Sequence, residues 1–176
     1  MPTIGKVKEL IRTVIKNSPD VSVGLWGAPG VGKSSIIAQI AKEEKMRFVD
    51  IRLAQFEPSE IRGIPQIKDG VTKWARADFL PVINEPTILM FDEFSCAEPS
   101  VQNAALRIVL DRSLDNWQAP PETRIILAGN RREDFAYINE PSVPFKTRLV
   151  NFIVEASLQD WKVYAKEQGC ATQIIS

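Results

Sequence analysis

Ile4, Val7, Leu10, Ile11, Val14 and Ile15 recur at steps of three and four residues, with Lys6, Lys8, Arg12 and Lys16 between them. That spacing gathers the apolar side chains on one stripe of a helix and leaves the basic ones in water. The pattern breaks at Asn17-Ser18-Pro19-Asp20, and a short apolar strand over about residues 21–26 follows. Four more short apolar runs read as strands: 48–53 (FVDIRL), 87–91 (TILMF), 124–128 (RIILA) and 149–154 (LVNFIV). Near-continuous apolar character is what strands covered on both faces carry.

Between several of these runs the period changes to that of a helix. Ile36, Ile37, Ile40 and Ala41 share a face over 34–45, as do Val101, Ala104, Ala105, Ile108 and Val109 over 99–112. Strands alternating with helices predict a parallel sheet inside a three-layer α/β fold. One interruption is predicted, because Ile64-Pro65-Gln66-Ile67 and Val71-Thr72-Lys73-Trp74 flank Lys68-Asp69-Gly70. Asp-Gly is a strong hairpin turn signal, so a small β-hairpin projects at about 64–75, with Pro65 weakening its first strand. Near the end, Ser157-Leu158-Gln159-Asp160 resembles a capping box, opening a helix with Leu158, Trp161, Tyr164 and Ala165 on one face.

With 176 residues, 44% of them hydrophobic, the chain suits one domain with a proper core. Lys+Arg and Asp+Glu both number 22, so no net basic field recruits nucleic acid or an anionic membrane. The absence of histidine excludes histidine-based catalysis and the usual zinc sites, and Cys96 and Cys170 lack metal-ligand spacing. The charged first residues form no signal-peptide core, and no apolar run approaches the roughly 20 residues of a membrane span. A soluble protein in a reducing, cytoplasmic setting is expected.

Candidate chemistry begins where the first strand ends. Gly27-Ala28-Pro29-Gly30-Val31-Gly32-Lys33-Ser34-Ser35 lies between that strand and a helix, and Gly27 to Ser34 fits G-x-x-x-x-G-K-[ST] without a mismatch. Glycines let backbone N–H groups crowd around phosphate oxygens, and the new helix points its partial positive end at them. Lys33 would reach the β- and γ-phosphates of a nucleotide, and the Ser34 hydroxyl would ligate Mg2+. Asp92 and Glu93 follow a buried strand at the carboxyl edge of the sheet, where ligands of open α/β folds bind. Asp92 suits the Mg2+ shell and Glu93 a base that polarises water. Such a pair also serves as turn chemistry; the phosphate loop upstream favours the catalytic reading. Asn130 ends the fourth strand, able to bond a γ-phosphate and a lytic water, though an asparagine there is also an ordinary turn residue. Arg148 directly precedes the fifth strand, on the rim. It is either solvated or set against a nucleotide held by another subunit.

Lys33, Asp92-Glu93, Asn130 and Arg148 occur in an order that resembles the AAA+ superfamily, with its Walker A, Walker B, sensor-one asparagine and arginine finger. Within it the chain looks most similar to the MoxR group, on the runs LWGAPGVGKSS, FDEFSCAEPSVQNAALRIVLDRSL, IILAGNRRED and PFKTRLVNF. The hairpin sits where that branch, in the helix-two-insert clade, carries an insertion. Many MoxR members have Asn-Arg where this chain has Ser95-Cys96. The resemblance implies a P-loop NTPase αβα sandwich with a five-stranded parallel sheet, ATP and Mg2+ as ligands, and ATP hydrolysis. It also implies homo-oligomeric rings, commonly hexamers, in which Arg148 acts on the neighbour's ATP, and chaperone-like remodelling of partners, often ones bearing a von Willebrand factor A domain. The family continues into a helical lid, so residues 1–156 are expected to form the core and 157–176 the start of a truncated lid.

Other functions use the same loop. A small phosphotransferase would lack the Asp-Glu pair with an asparagine on the next strand, and needs lid arginines not found here. A nucleotide-binding module without turnover fits a chain short of its lid. A DNA motor would rest on Lys68, Lys73 and Arg76 around the hairpin, which read equally as a solvated surface.

Overall fold

The apolar stripe of the first segment forms α1 (Ile4–Asn17), with Val7, Ile11 and Ile15 buried and Lys16 in the last turn, where a cation meets the negative end of the helix dipole. In the computed structural model, residues 4–134, 138–139, 143–158, 162, 165 and 166 are described. After α1 come β1 (Val23–Trp26), α2 (Lys33–Glu43), β2 (Arg47–Arg52), α3 (Pro58–Arg62), β3 (Ile64–Lys68) and β4 (Val71–Ala75). Then follow β5 (Thr87–Asp92), α4 (Pro99–Asp111), β6 (Ser113–Leu114), β7 (Trp117–Gln118), β8 (Thr123–Gly129), α5 (Val143–Lys146) and β9 (Val150–Ile153).

Five strands pair in parallel in the order β2-β5-β8-β1-β9. The two-residue period of a strand divides the core between the sheet's faces. Ile88 and Met90 of β5 and Ile126 and Ala128 of β8 pack with α1 and α2. Leu89, Phe91, Ile125 and Leu127 face the other way, onto Ile61 of α3 and Val101, Ala105 and Ile108 of α4. The αβα sandwich expected from the sequence is therefore present.

Not every strand is covered on both sides. At the sheet edges Arg47, Asp50 and Arg52 of β2, and Asn151 and Ile153 of β9, are exposed, because an edge strand has one neighbour and less helix above it. The hairpin forms as β3 and β4, antiparallel with Lys68 opposite Val71. Asp69 and Gly70 take φ of 55° and 71°, the left-handed pair that a two-residue hairpin turn requires. Pro65 is accommodated because this ribbon has only two strands. α3, α5 and the β6–β7 ribbon are too short to leave a periodic signal. Of the expected last helix, Gln159, Asp160, Trp161 and Tyr164 lie outside the described residues, as does Cys170. Leu158 is exposed and Ala165 is buried.

Candidate nucleotide site

β1 delivers the glycine-rich loop to the carboxyl edge of the sheet. Gly27 N–H donates to Gly129 O at 3.3 Å. A Cβ at Gly27 would lie 2.2 Å from Val154 O, so the close approach of the chain leaving β9 excludes any larger residue. Ala28 is half-buried, Pro29 and Gly30 are exposed, and Val31 packs against the core on the α2 side. Gly32 at φ 93° turns the chain into α2, aligning the backbone of Lys33, Ser34 and the exposed Ser35 as its first turn.

Lys33 folds back over this loop. Its Nζ donates to Gly27 O at 2.8 Å, Ala28 O at 2.9 Å and Asn130 Oδ1 at 3.2 Å. Burial pushes its ammonium pKa below the ordinary 10.5, while Asp92 and Asp134 pull it back up. Strand alternation sends Asp92 to the same face as Ile88 and Met90, where α2 begins, and the Ser34 hydroxyl hydrogen-bonds Asp92 Oδ2. Glu93 breaks the strand with φ 55°, a left-handed conformation costing about 1–2 kcal/mol outside glycine. Its N–H is anchored on Asp92 Oδ1 at 2.7 Å. Asp50 of the neighbouring β2, though exposed at the sheet edge, has its carboxyl pushed up first by partial desolvation, then by the charges of Asp92 and Glu93.

Asn130 follows β8, its Nδ2 donating to Cys96 Sγ at 3.6 Å. The next residue, Arg131, is spent on structure. Its fork holds Asp134 at 2.6 and 2.9 Å and drives that carboxyl below its ordinary range. Five expected site residues thus converge: Lys33, Ser34, Asp92, Glu93 and Asn130. Arg148 stands apart. It is exposed in the turn after α5, at the amino edge of the sheet, and its N–H donates to Phe145 O at 3.0 Å. Val23 pairs with Val150 and Trp26 with Ile153, so the whole of β9, about 13 Å at ~3.3 Å per residue, separates Arg148 from the level of the loop.

A cavity of about 640 Å3 opens beside the loop, lined among others by Trp26, Asn130, Arg132, Lys146 and Asn151. Among the described residues it meets the phosphate site at Asn130 alone. Trp26 Nε1 donates to Asn151 Oδ1 at 2.7 Å, and Lys146 Nζ lies 5.9 Å from the Trp26 ring centroid. Sequence reasoning did not assign a role to Ser95, Gln102 or Asn139, which surround Asn130 and the turn after Glu93. The one sequence feature that could have led there is Gln102, a polar residue on the otherwise apolar face of α4.

Comparison with known proteins places the AAA domain (dynein-related subfamily) over residues 22–159. A 26S proteasome regulatory subunit 6B homolog from Aspergillus niger is 24% identical over 151 residues, covering 81% of this chain and 33% of that protein. An uncharacterised AAA domain-containing protein of Schizosaccharomyces pombe is 30% identical over 132 residues, covering 72% and 16%. The chain therefore spans a third or less of these relatives. Among solved structures, a candidate ATPase from Cytophaga hutchinsonii superposes with a TM-score of 0.63 at 13% identity, covering 95% of this chain and 52% of that one. A Thermotoga maritima RuvB mutant gives 0.58 at 17%, covering 92% and 49%. At these identities the structural likeness concerns the fold.

Proposed function

Because the chain belongs to the AAA domain family, in its dynein-related subfamily, we propose that it binds ATP with Mg2+ at the loop of residues 27–35 and hydrolyses it. The observation that carries this reading is the convergence of Lys33, the Ser34–Asp92 pair, Glu93 and Asn130 at one edge of the sheet. Lys33 exchanges the carbonyls of Gly27 and Ala28 for the β- and γ-phosphate oxygens. Ser34 Oγ and the Asp92 carboxylate, already in contact, are hard oxygen donors of the kind Mg2+ takes. Among the described residues no group of three or more acidic or thiol side chains forms a metal cage, which suits an ion that completes its shell with phosphates and water. Held by Ser34 and Asp92, the ion would supply charge neutralisation to the phosphates. Glu93 accepts the proton of the attacking water, and Asn130 orients that water and the γ-phosphate.

The finer reading is a MoxR-like ATPase core working in a ring. Arg148, at the opposite edge of the sheet from its own loop, serves the ATP of a neighbouring copy. Residues from 157 onward begin a lid, and the energy released remodels a partner protein, one bearing a von Willebrand factor A domain being the first to try. The test is Glu93→Gln. We expect ATP binding to persist while turnover falls about a hundredfold or more; hydrolysis at the wild-type rate would remove Glu93 from the reaction. Tight ATP binding by the wild-type chain with no turnover at any protein concentration would leave a nucleotide-binding module.

A further inference from the structure

The backbone N–H of Asn130 lies beyond the reach of both neighbouring strands. On one side the β8 ladder ends at the Trp26–Gly129 pair, and on the other at Phe91–Leu127. A strand end left to itself swings with its unpaired donor. Here Ser95 supplies the acceptor: Asn130 N–H donates to Ser95 Oγ at 2.8 Å, and Ser95 is wholly buried.

Ser95 is itself held. It sits in the single turn Phe94–Cys96 directly behind Glu93. Gln102, 7% exposed on the inward face of α4, donates its amide to Phe94 O at 2.8 Å, Ala97 O at 3.3 Å and Asn139 O at 2.8 Å. Asn139 closes the loop, its N–H on Ser95 O at 2.8 Å and its Nδ2 on Ala97 O at 3.0 Å. Leucine or methionine would fill the Gln102 position without desolvating an amide, so the polar clamp is justified by what it holds in place.

We propose that Ser95, clamped through Gln102 and Asn139, is the positioning residue for Asn130, locking it to the turn that carries Glu93. The kinetic consequence rests on the ATPase reading above. Asn130 Oδ1 is 3.2 Å from Lys33 Nζ, so any drift of its backbone moves the group expected to orient water relative to both the lysine and the base.

The experiment compares wild type, Ser95→Ala, Asn130→Ala and the double variant, reading kcat, KM for ATP and the hydrogen exchange of the Asn130 amide. For Ser95→Ala we expect kcat to fall about tenfold, KM to change less than about twofold, and Asn130 exchange to rise about tenfold. In the Asn130→Ala background the same change should cost no further rate, because its effect passes through Asn130. An unchanged kcat, or losses that multiply in the double variant, overturns the assignment; a general loosening would raise KM and exchange across the domain. If wild type shows no turnover, the ATPase reading fails and exchange alone decides: a rise confined to Asn130 upholds Ser95 and an unchanged rate overturns it. Should Ser95→Ala not fold, Ser95→Cys, which weakens the acceptor, replaces it in the same measurements.

Discussion

Lys33 carries a charge into a place where 8% of its surface meets water. Its lowered pKa has a consequence for stability. Between the folded-state value and the ordinary 10.5, the folded chain binds fewer protons than the unfolded one, so stability rises with pH across that window. Below it the fold bears the cost of a desolvated ammonium. Lys33→Met should therefore raise the Tm of the nucleotide-free chain by roughly 2–4 °C, the shift that ~1 kcal/mol produces in a domain of this size. It should also flatten the rise in stability toward pH 10.5 and abolish the Tm increase expected of the wild type on adding ATP. Calorimetry with and without ATP checks all three, and a lower Tm in the variant would mean that the carbonyl hydrogen bonds outweigh the buried charge. At this scale the loop residues, Asp92 and Asn130 were legible because they follow apolar strands at recognisable spacings. Ser95 and Gln102 were not, since their partners Asn130 and Asn139 lie 35 and 37 residues further on, and side-chain pairing across such intervals has no period.

α1 and α2 are joined by both kinds of interaction, and their magnitudes differ. Lys8 meets Glu43 at 2.6 Å, while Arg12 and Lys16 meet Glu44 at 2.8 and 3.0 Å. Lys16 first, then Arg12, hold the Glu44 carboxyl below its ordinary 4.5, so the stability it adds is present above that pH and is lost as pH falls through the folded value. These pairs are solvent-facing and screened. Glu44→Gln should lower Tm at pH 7 by only about 1–2 °C, and the difference should shrink in 1 M salt and disappear once the pH falls below the folded value of Glu44. Ile37 on the same helix is wholly buried among the apolar residues of α1 and the sheet, and Ile37→Ala should cost ~2–5 kcal/mol, unaffected by salt. Thermal melts across pH and salt separate the two. Apolar burial holds these helices down, which is why their 3.6-residue period could be read from the sequence. The short α3 and the β6–β7 ribbon depend on packing of single residues such as Trp117, whose Nε1 reaches Pro81 O at 2.9 Å, and left no such pattern.

For the whole molecule the decisive separation is between Arg148 and its own loop. With the length of β9 between them, a role for Arg148 requires a second copy. Turnover per chain should then climb with protein concentration. Arg148→Ala and Glu93→Gln, each nearly inactive alone, should regain activity when mixed, since one retains the base and the other the arginine. Steady-state ATP hydrolysis of the mixture checks this, and mixed activity no greater than the sum of the two would place Arg148 outside the reaction. Among the described residues no helix is long and apolar enough to cross a membrane.

The sequence by itself determined the five strands of the main sheet, the longer helices α1, α2 and α4, where the hairpin turns and which residues open α2, because periodicity, Asp-Gly turns and glycine-rich loops are decided by neighbours along the chain. Only the tertiary structure decided the strand order β2-β5-β8-β1-β9. That order puts β8 between β1 and β5, so Asn130 comes to rest against Lys33 while Asp92 reaches Ser34, and β9 carries Arg148 to the far edge. The choice depends on how two apolar faces of one sheet are covered at once, a balance of contacts distant in sequence that no local pattern records.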